Sequence, residues 1–327
     1  MKNINIKIVA LQRGPKYYSL LKEKLTNLGL NLEIIEISED LSFDTCNCSA
    51  AKFNLLRGLL KKQNNELTVL VSSTTELFPE EPDYIIGFSG YRSWSDSNRF
   101  KIIPFVSEQA QVSDSLNLEW QEKPTLSVGF LGNTYENRKC VKVATHLPSF
   151  IKQQFLQGRH LNYIYRGTST FSATIGIIPC FFRLDALKQL EISNLDGDII
   201  RYAKQPKVTQ QEIKNYQEHM LRNTYILCPR AIENYSFRFY ETLAYGRVPV
   251  LVDTDVVLPS SVDWDEICIK VPYDKLGDLE NIVRKDYETR TKQDFIERQR
   301  KALKTMKQLG QFHWLQDIAE EIAQAAI

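Results

Sequence analysis

The sequence predicts an α/β protein in which two parallel, doubly wound sheets follow one another along the chain. Short apolar runs of strand length alternate with amphipathic helical stretches through both halves. The chain of 327 residues exceeds what one core usually accommodates, and its 43% hydrophobic content supports folded structure throughout. Between residues 108 and 123 the polar stretch EQAQVSDSLNLEWQEK has no clear period, which places a linker there.

Each element has its own signal. Ile4 to Leu11, apolar at Ile4, Ile6 and Ile8, predicts the first strand. After the loop QRGPK, Leu20, Leu21, Leu25 and Leu28 predict a helix closed by Gly29. The strand LNLEIIEIS then completes a βαβ unit. A helix is expected from about Ser49 to Leu60, with strands at Leu67 to Ser73, Asp83 to Ser89 and Lys101 to Ser107. In the second half PTLSVGFLGN reads as a strand ending at Gly132 and LNYIYRG as another. Thr209 with Glu212 forms a capping box opening a helix through Leu221. NTYILCPR, VPVLVD and EICIKVP supply three more strands. Ile296, Leu303 and Met306 are expected to line one helix, and Leu315, Ile318, Ile322 and Ala325 a last one. The implied division is a first domain over 1–120, a second over 121–310 and a terminal helix over 311–327.

Composition narrows the function classes. With 41 Lys+Arg against 40 Asp+Glu the formal charge is +1, so no global field exists to hold a phosphate polymer and no nucleic-acid partner is expected. The six cysteines are scattered without a CxxC pair and the four histidines lack metal-site spacing, which points to reduced thiols and no metal. The N-terminus MKNINIKIVAL is too short and polar for a signal peptide, and no apolar run reaches the length of a membrane span; the cytoplasm is the expected compartment. Nine basic residues against four acidic ones between Arg284 and Lys307 leave two readings, a solvated helix face or peripheral contact with an anionic membrane surface.

The chemistry concentrates in NYSFRFYETLAYGRVPVLVD. Asn234 and Ser236 both suit an N-cap and Gly246 suits the position past a helix end, so a helix is predicted from Ser236 to Tyr245. Arg238 then falls in the first turn, where the helix dipole disfavours a cation by roughly 0.3–1 kcal/mol. An anion there would resolve the conflict. The preceding loop CPRAIENYS leaves a strand near Pro229, carries Arg230 and runs into that helix start, and ligands of open α/β sheets bind beyond the carboxyl ends of strands. Free N–H groups with the planar forks of Arg230 and Arg238 suit diphosphate oxygens, and Glu241, on roughly the same face, suits ribose hydroxyls. The competing reading is a surface pair of Arg238 with Glu241, worth only about 0.2–0.5 kcal/mol.

The segment YILCPRAIENYSFRFYETLAYGRVPVLVDTDVVLPSSVDWDEICIKVP resembles the exostosin family of glycosyltransferases, the GT47 type. That family's usual pattern is a Cys-Pro-Arg strand end, a Ser-x-Arg-x-Tyr/Phe-Glu helix, a Gly-x-x-Pro-Val strand, and a later Leu-Pro and Asp-Trp. KPTLSVGFLGNTYENRK gives weaker support upstream. The resemblance implies a GT-B fold, with two Rossmann-like domains facing a central cleft, the sugar nucleotide held mainly by the second, the acceptor by the first, and the last helix crossing back. It implies that Arg238 binds the diphosphate and Glu241 the ribose. Cys228 to Arg230, including Pro229, would line the donor pocket with Asn234, Tyr235, Ser236 and Phe237 at the helix start. Arg138 and Arg166 are further phosphate candidates, an ordinary surface arginine being the alternative for each. Ala231 stands where the family usually has Gly, and Arg247 where it has a small residue, departures that bear on the donor sugar more than on the fold.

The implied reaction is an inverting, metal-independent transfer from a nucleotide-sugar co-substrate, with UDP the expected nucleotide, to a hydroxyl of a glycan or glycolipid. Its base, a first-domain carboxylate, stays open among Glu76, Asp96 and Glu108. Asp253 and Asp255 of DTD suggest a metal-binding pair, but their late position favours a turn. Two alternatives are a non-catalytic sugar-nucleotide-binding or partner subunit, and a GDP-fucose-type or retaining GT-B transferase.

Overall fold

A computed structural model describes residues 5–11, 15–37, 59–60, 66–71, 82–87, 90–93, 100–104, 120, 123–158, 177–202, 209–312 and 314–326. Within these, β1 (Asn5–Leu11), α1 (Pro15–Asn27), β2 (Leu32–Ile37), β3 (Glu66–Val71), β4 (Tyr84–Gly87) and β5 (Phe100–Ile102) build the first half. The five strands form one sheet in the order β2-β1-β3-β4-β5, every pair parallel. Gly29, at φ 74°, ends α1 in the left-handed region as its position in the sequence predicts.

The second half contains β6 (Ser127–Asn133), α2 (Lys139–Ala144), α3 (Ser149–Leu156), α4 (Phe181–Ile192), β7 (Asp196–Tyr202), α5 (Gln210–Arg222) and β8 (Tyr225–Cys228). After these come α6 (Phe237–Ala244), β9 (Val248–Asp253), β10 (Ile269–Pro272), α7 (Leu279–Glu288), α8 (Lys292–Gly310) and α9 (Trp314–Ala325). Its sheet runs β10-β9-β8-β6-β7, again wholly parallel. The α/β class and the two sheets therefore stand as expected. Central strands are buried on both faces, as helix-covered parallel sheets require. Tyr225 and Leu227 of β8 face one apolar cluster with α4 and α7, whereas Ile226 and Cys228 face another with α6, α8 and α9.

That second cluster is continuous with the first sheet. Ile6, Ile8, Leu21, Leu25, Val69 and Ile86 pack in it with Phe239 and Leu243 of α6 and with Leu315, Ile318 and Ile322 of α9. The terminal helix crosses back onto α1, where Lys24 Nζ donates to Gln316 at 3.1 Å, and Lys101 of β5 pairs with Glu321 at 2.6 Å. The arrangement is the one that GT-B denotes, two α/β sheets bridged by the last helix.

Several local expectations need correction. The basic stretch between Arg284 and Lys307 is two helices, because Thr291 and Asp294 form a reciprocal capping box that starts α8 afresh. Four of its cations are also engaged: Arg284 with Glu280, Arg290 and Arg298 with Asp286, and Lys301 with Glu266. The buried row of α8 is Phe295, Ala302, Met306 and Leu309, with Ile296 and Leu303 only half-buried, and Ala325 of α9 is exposed. At Thr209 half of the predicted box forms: its hydroxyl accepts from Glu212 N at 3.2 Å, while the Glu212 carboxylate takes the Tyr202 hydroxyl at 3.4 Å. Most of the expected helix to Leu60, the strand LNYIYRG and most of the linker lie outside the described residues, while Leu59 and Leu60 are helical. Among the described residues no helix is long and apolar enough to cross a membrane.

Candidate functional site at the carboxyl ends of β6 and β8

In the second sheet β6 lies between β8 and β7, so the strand order reverses between β6 and β8. Such a switch point opens a crevice at the carboxyl ends of the strands. Pairing shows the opening directly: β6 and β8 are in register at Val128 with Tyr225 and Gly129 with Ile226, whereas β6 continues alongside β7 as far as Asn133. The carbonyls of Leu131 and Asn133 would otherwise have continued the ladder toward β8. They are met instead by arginines, Leu131 by Arg238 Nη2 and Asn133 by Arg183 Nη1 at 2.6 Å.

Arg238 is placed by α6. Ser236 is the N-cap, with extended backbone and a side chain that makes no cap hydrogen bond. Gly246 closes the element at φ 60°. These boundaries are within one residue of those read from the sequence. From the first turn the Arg238 side chain bends inward over the Phe130 ring, 4.5 Å from its centroid, with Nε buried and without a hydrogen-bond partner. Gly132 makes room for it, since a Cβ there would lie 2.2 Å from Arg238 Nη2. Arg238 forms no ion pair with Glu241, which settles against the surface-pair reading. One Glu241 oxygen instead receives the hydroxyl of Tyr216, whose ionisation is pushed far up by burial and by the charge of Glu241.

The other candidates divide into two groups. Pro229 is buried and its carbonyl accepts from Arg183 Nη2 at 3.3 Å. Tyr235 and Phe237 stack edge to face at 5.0 Å beside the helix start, with Phe237 exposed. Arg138 is exposed at the N-terminus of α2. Arg230 and Asn234 do not face the crevice as expected: both are fully interior and join the second sheet to the first. Arg230 Nη1 donates to Tyr91 Oη at 2.7 Å and Nη2 to Ile232 O at 2.7 Å, and Asn234 Nδ2 donates to Gly90 O at 2.9 Å while its Oδ1 accepts from Thr254 at 2.6 Å. Arg166, Glu76, Asp96 and Glu108 lie outside the described residues.

The DTD segment forms the turn that the sequence favours, Val256 N donating to Asp253 Oδ1 at 3.3 Å, and its carboxylates also take a distant partner. Arg92 Nη2 reaches both Asp253 oxygens at 3.1 and 2.9 Å, Nη1 reaches Val256 O at 2.7 Å, and Ser93 N donates to Asp255 Oδ2 at 2.8 Å. Tyr91 and Val256 form an antiparallel bridge. Both carboxylates thus hold the segment 90–93 that follows β4. Among the described residues no three His, Cys, Asp or Glu side chains converge as a metal site would require.

Sequence reasoning missed Arg183, because no helix was expected over Phe181–Ile192. A signal existed: an arginine inside the apolar run IIPCFFRLDAL is a charge in a stretch that must be buried. Cys228, adjacent to the crevice, is no nucleophile; burial pushes its thiol up to about 12.

Residues 186–285 match the exostosin GT47 domain model, a span that includes α6, β8, β9 and β10. That segment, under a third of the chain, is similar to a GT47 domain. Among curated proteins, a probable glucuronosyltransferase of Oryza sativa subsp. japonica is 36% identical over 70 residues, 21% of this chain and 17% of that protein. Ribitol-5-phosphate xylosyltransferase 1 of Homo sapiens is 39% identical over 49 residues, 15% of this chain and 11% of that protein. The match to this chain therefore spans less than a fifth of the length of either relative. Among solved structures, an α,α-trehalose-phosphate synthase (UDP-forming) from Burkholderia vietnamiensis aligns over 98% of this chain and 100% of its own with 9% identity and a TM-score of 0.46. Arg238, Glu241, Asp253 and Asp255 fall inside the matched span, whereas the β6 wall of the crevice and Arg183 lie before it.

Proposed function

We propose that the protein is a glycosyltransferase that takes a sugar from a nucleoside diphosphate donor, with UDP the nucleotide of choice, and places it on a hydroxyl of a glycan or glycolipid. The observation that carries this reading is a pair of guanidinium groups at the β6/β8 switch point, beside a helix start that the Ser236 side chain does not cap. A diphosphate there would complement the helix dipole and offer Arg238 Nε the acceptor it lacks. In the reaction negative charge develops on the leaving diphosphate, and preorganised arginine and backbone N–H groups stabilise that charge without needing a metal. Glu241, oriented by Tyr216, takes the ribose hydroxyls, and the first domain, assigned to 1–120, supplies the acceptor surface and the base.

The test is a calorimetric titration with UDP, GDP and TDP, each with and without chelator, on wild type and Arg238→Ala. Binding of one nucleotide that is indifferent to chelator and at least about 30-fold weaker in the variant, equivalent to about 2 kcal/mol, is the expected outcome. Unchanged affinity in Arg238→Ala would remove the arginine from the site. Metal-dependent binding would overturn the arginine-only account of the diphosphate.

A further inference from the structure

The Arg183 guanidinium is a nearly dry positive charge, 6% exposed, whose hydrogen-bond partners are all neutral. Nε donates to Arg230 O at 3.2 Å, Nη1 to Asn133 O at 2.6 Å and Nη2 to Pro229 O at 3.3 Å. One side chain therefore joins the carboxyl ends of β6 and β8 after their ladder has parted. Its guanidinium carbon lies 5.9 Å from the centroid of the Phe130 ring, the ring that Arg238 also covers. Burial, followed by the like charge of Arg238, lowers its ionisation to about 10. No carboxylate pairs with it among the described residues. A buried cation set beside a second, half-buried one opposes folding, and a local conflict of this kind is expected where function requires it.

We propose that Arg183 is a positioning residue of the diphosphate site, fixing the separation of the β6 and β8 ends and adding a second positive charge beneath Arg238. The proposal rests on the nucleoside diphosphate reading of the crevice. In that role Arg183 keeps its fork on the three carbonyls while its charge raises the attraction for an anion that Arg238 contacts.

Inorganic pyrophosphate and UDP, with uridine as the uncharged control, should be titrated at several salt concentrations into wild type, Arg183→Lys, Arg183→Gln and Arg238→Ala, with melting temperatures measured alongside. Arg183→Gln is expected to weaken pyrophosphate binding about tenfold or more and to flatten its salt dependence. Arg183→Lys, which keeps the charge but not the fork, is expected to recover the salt dependence without the full affinity. If both variants melt earlier yet bind pyrophosphate as wild type does, with the same salt dependence, Arg183 only stabilises the fold and the proposal is overturned. Should Arg183→Gln fail to fold, Arg183→Lys decides, and an affinity within about twofold of wild type overturns the proposal. Binding lost in Arg238→Ala but kept in both Arg183 variants would reject the role of Arg183 alone. Absence of pyrophosphate and UDP binding in wild type would reject the diphosphate reading and this proposal with it.

Discussion

An arginine in the first turn of α6 is unfavourable for an isolated helix, and its tertiary setting explains how it is tolerated. The side chain leaves the helix surface, lies on Phe130 and donates to the Leu131 carbonyl. A single missing Cβ permits that approach, so Gly132→Ala is a sharp probe: the methyl would occupy the position of Nη2 and displace the flexible end of Arg238. The expected result is a folded protein that melts several degrees lower, because alanine is strained at φ 159°, while UDP affinity falls about tenfold or more. Wild-type affinity in that variant would show that the inward pose of Arg238 is irrelevant to binding.

Between elements, two buried polar clusters set the stability profile. Asp286 of α7 accepts from Arg298 of α8 at 2.8 and 3.0 Å, from Arg290 at 2.9 Å and from Tyr225 of β8 at 2.9 Å. Burial alone would raise its carboxyl, but the bonds and charges of Arg298 and Arg290 outweigh that and leave it below the usual range. Replacing Asp286 by Ala strands Arg298, whose side chain is 3% exposed, and is expected to cost about 3–5 kcal/mol in urea unfolding. The second cluster is His219 of α5, 1% exposed, beneath Asp198 of β7. Burial lowers its ionisation despite the opposing pull of Asp198. The neutral ring is thus favoured in the folded state, and its contribution to stability is complete above the unfolded value of about 6.5 and lost as pH falls below it. Unfolding free energy measured between pH 7.5 and 5 should fall with acidification in wild type and fall less in His219→Gln. Equal slopes would rule out His219 as the source.

At the scale of the whole molecule, the two sheets are joined by the shared apolar cluster, the returning helix α9 and the clasp of residues 90–93 on the DTD turn. The clasp sits at the carboxyl ends of both sheets and reaches the β6/β8 crevice through Arg230, which binds Tyr91 and whose carbonyl accepts from Arg183. The Arg92 side chain is 51% exposed, so its ion pair with Asp253 adds little to global stability and is screened by salt. Arg92→Ala should leave the melting temperature nearly unchanged, yet speed amide exchange at Ser93 and Val256, whose N–H groups bond the two Asp side chains, by about tenfold. Unchanged exchange would mean that the backbone bridge holds the clasp unaided.

The sequence by itself determined the α/β class, nine of the ten strands among the described residues and the boundaries of α6, because apolar runs, Ser236 and Gly246 act through local conformation and burial, which neighbours in sequence largely set. It also located the segment that carries the GT47 match. The strand β7 escaped because DGDIIRY is half-buried and polar at the sheet edge, where no continuous apolar run is needed. Only the tertiary structure decided that Arg183 joins Arg238 at one crevice and that Arg230 and Asn234 turn toward the first sheet. It likewise assigned DTD to Arg92, 161 residues away in the sequence. Those outcomes depend on which strand ends lie side by side and which carbonyls a parted ladder leaves open, and strand order is a property of the folded chain that no local pattern of residues encodes.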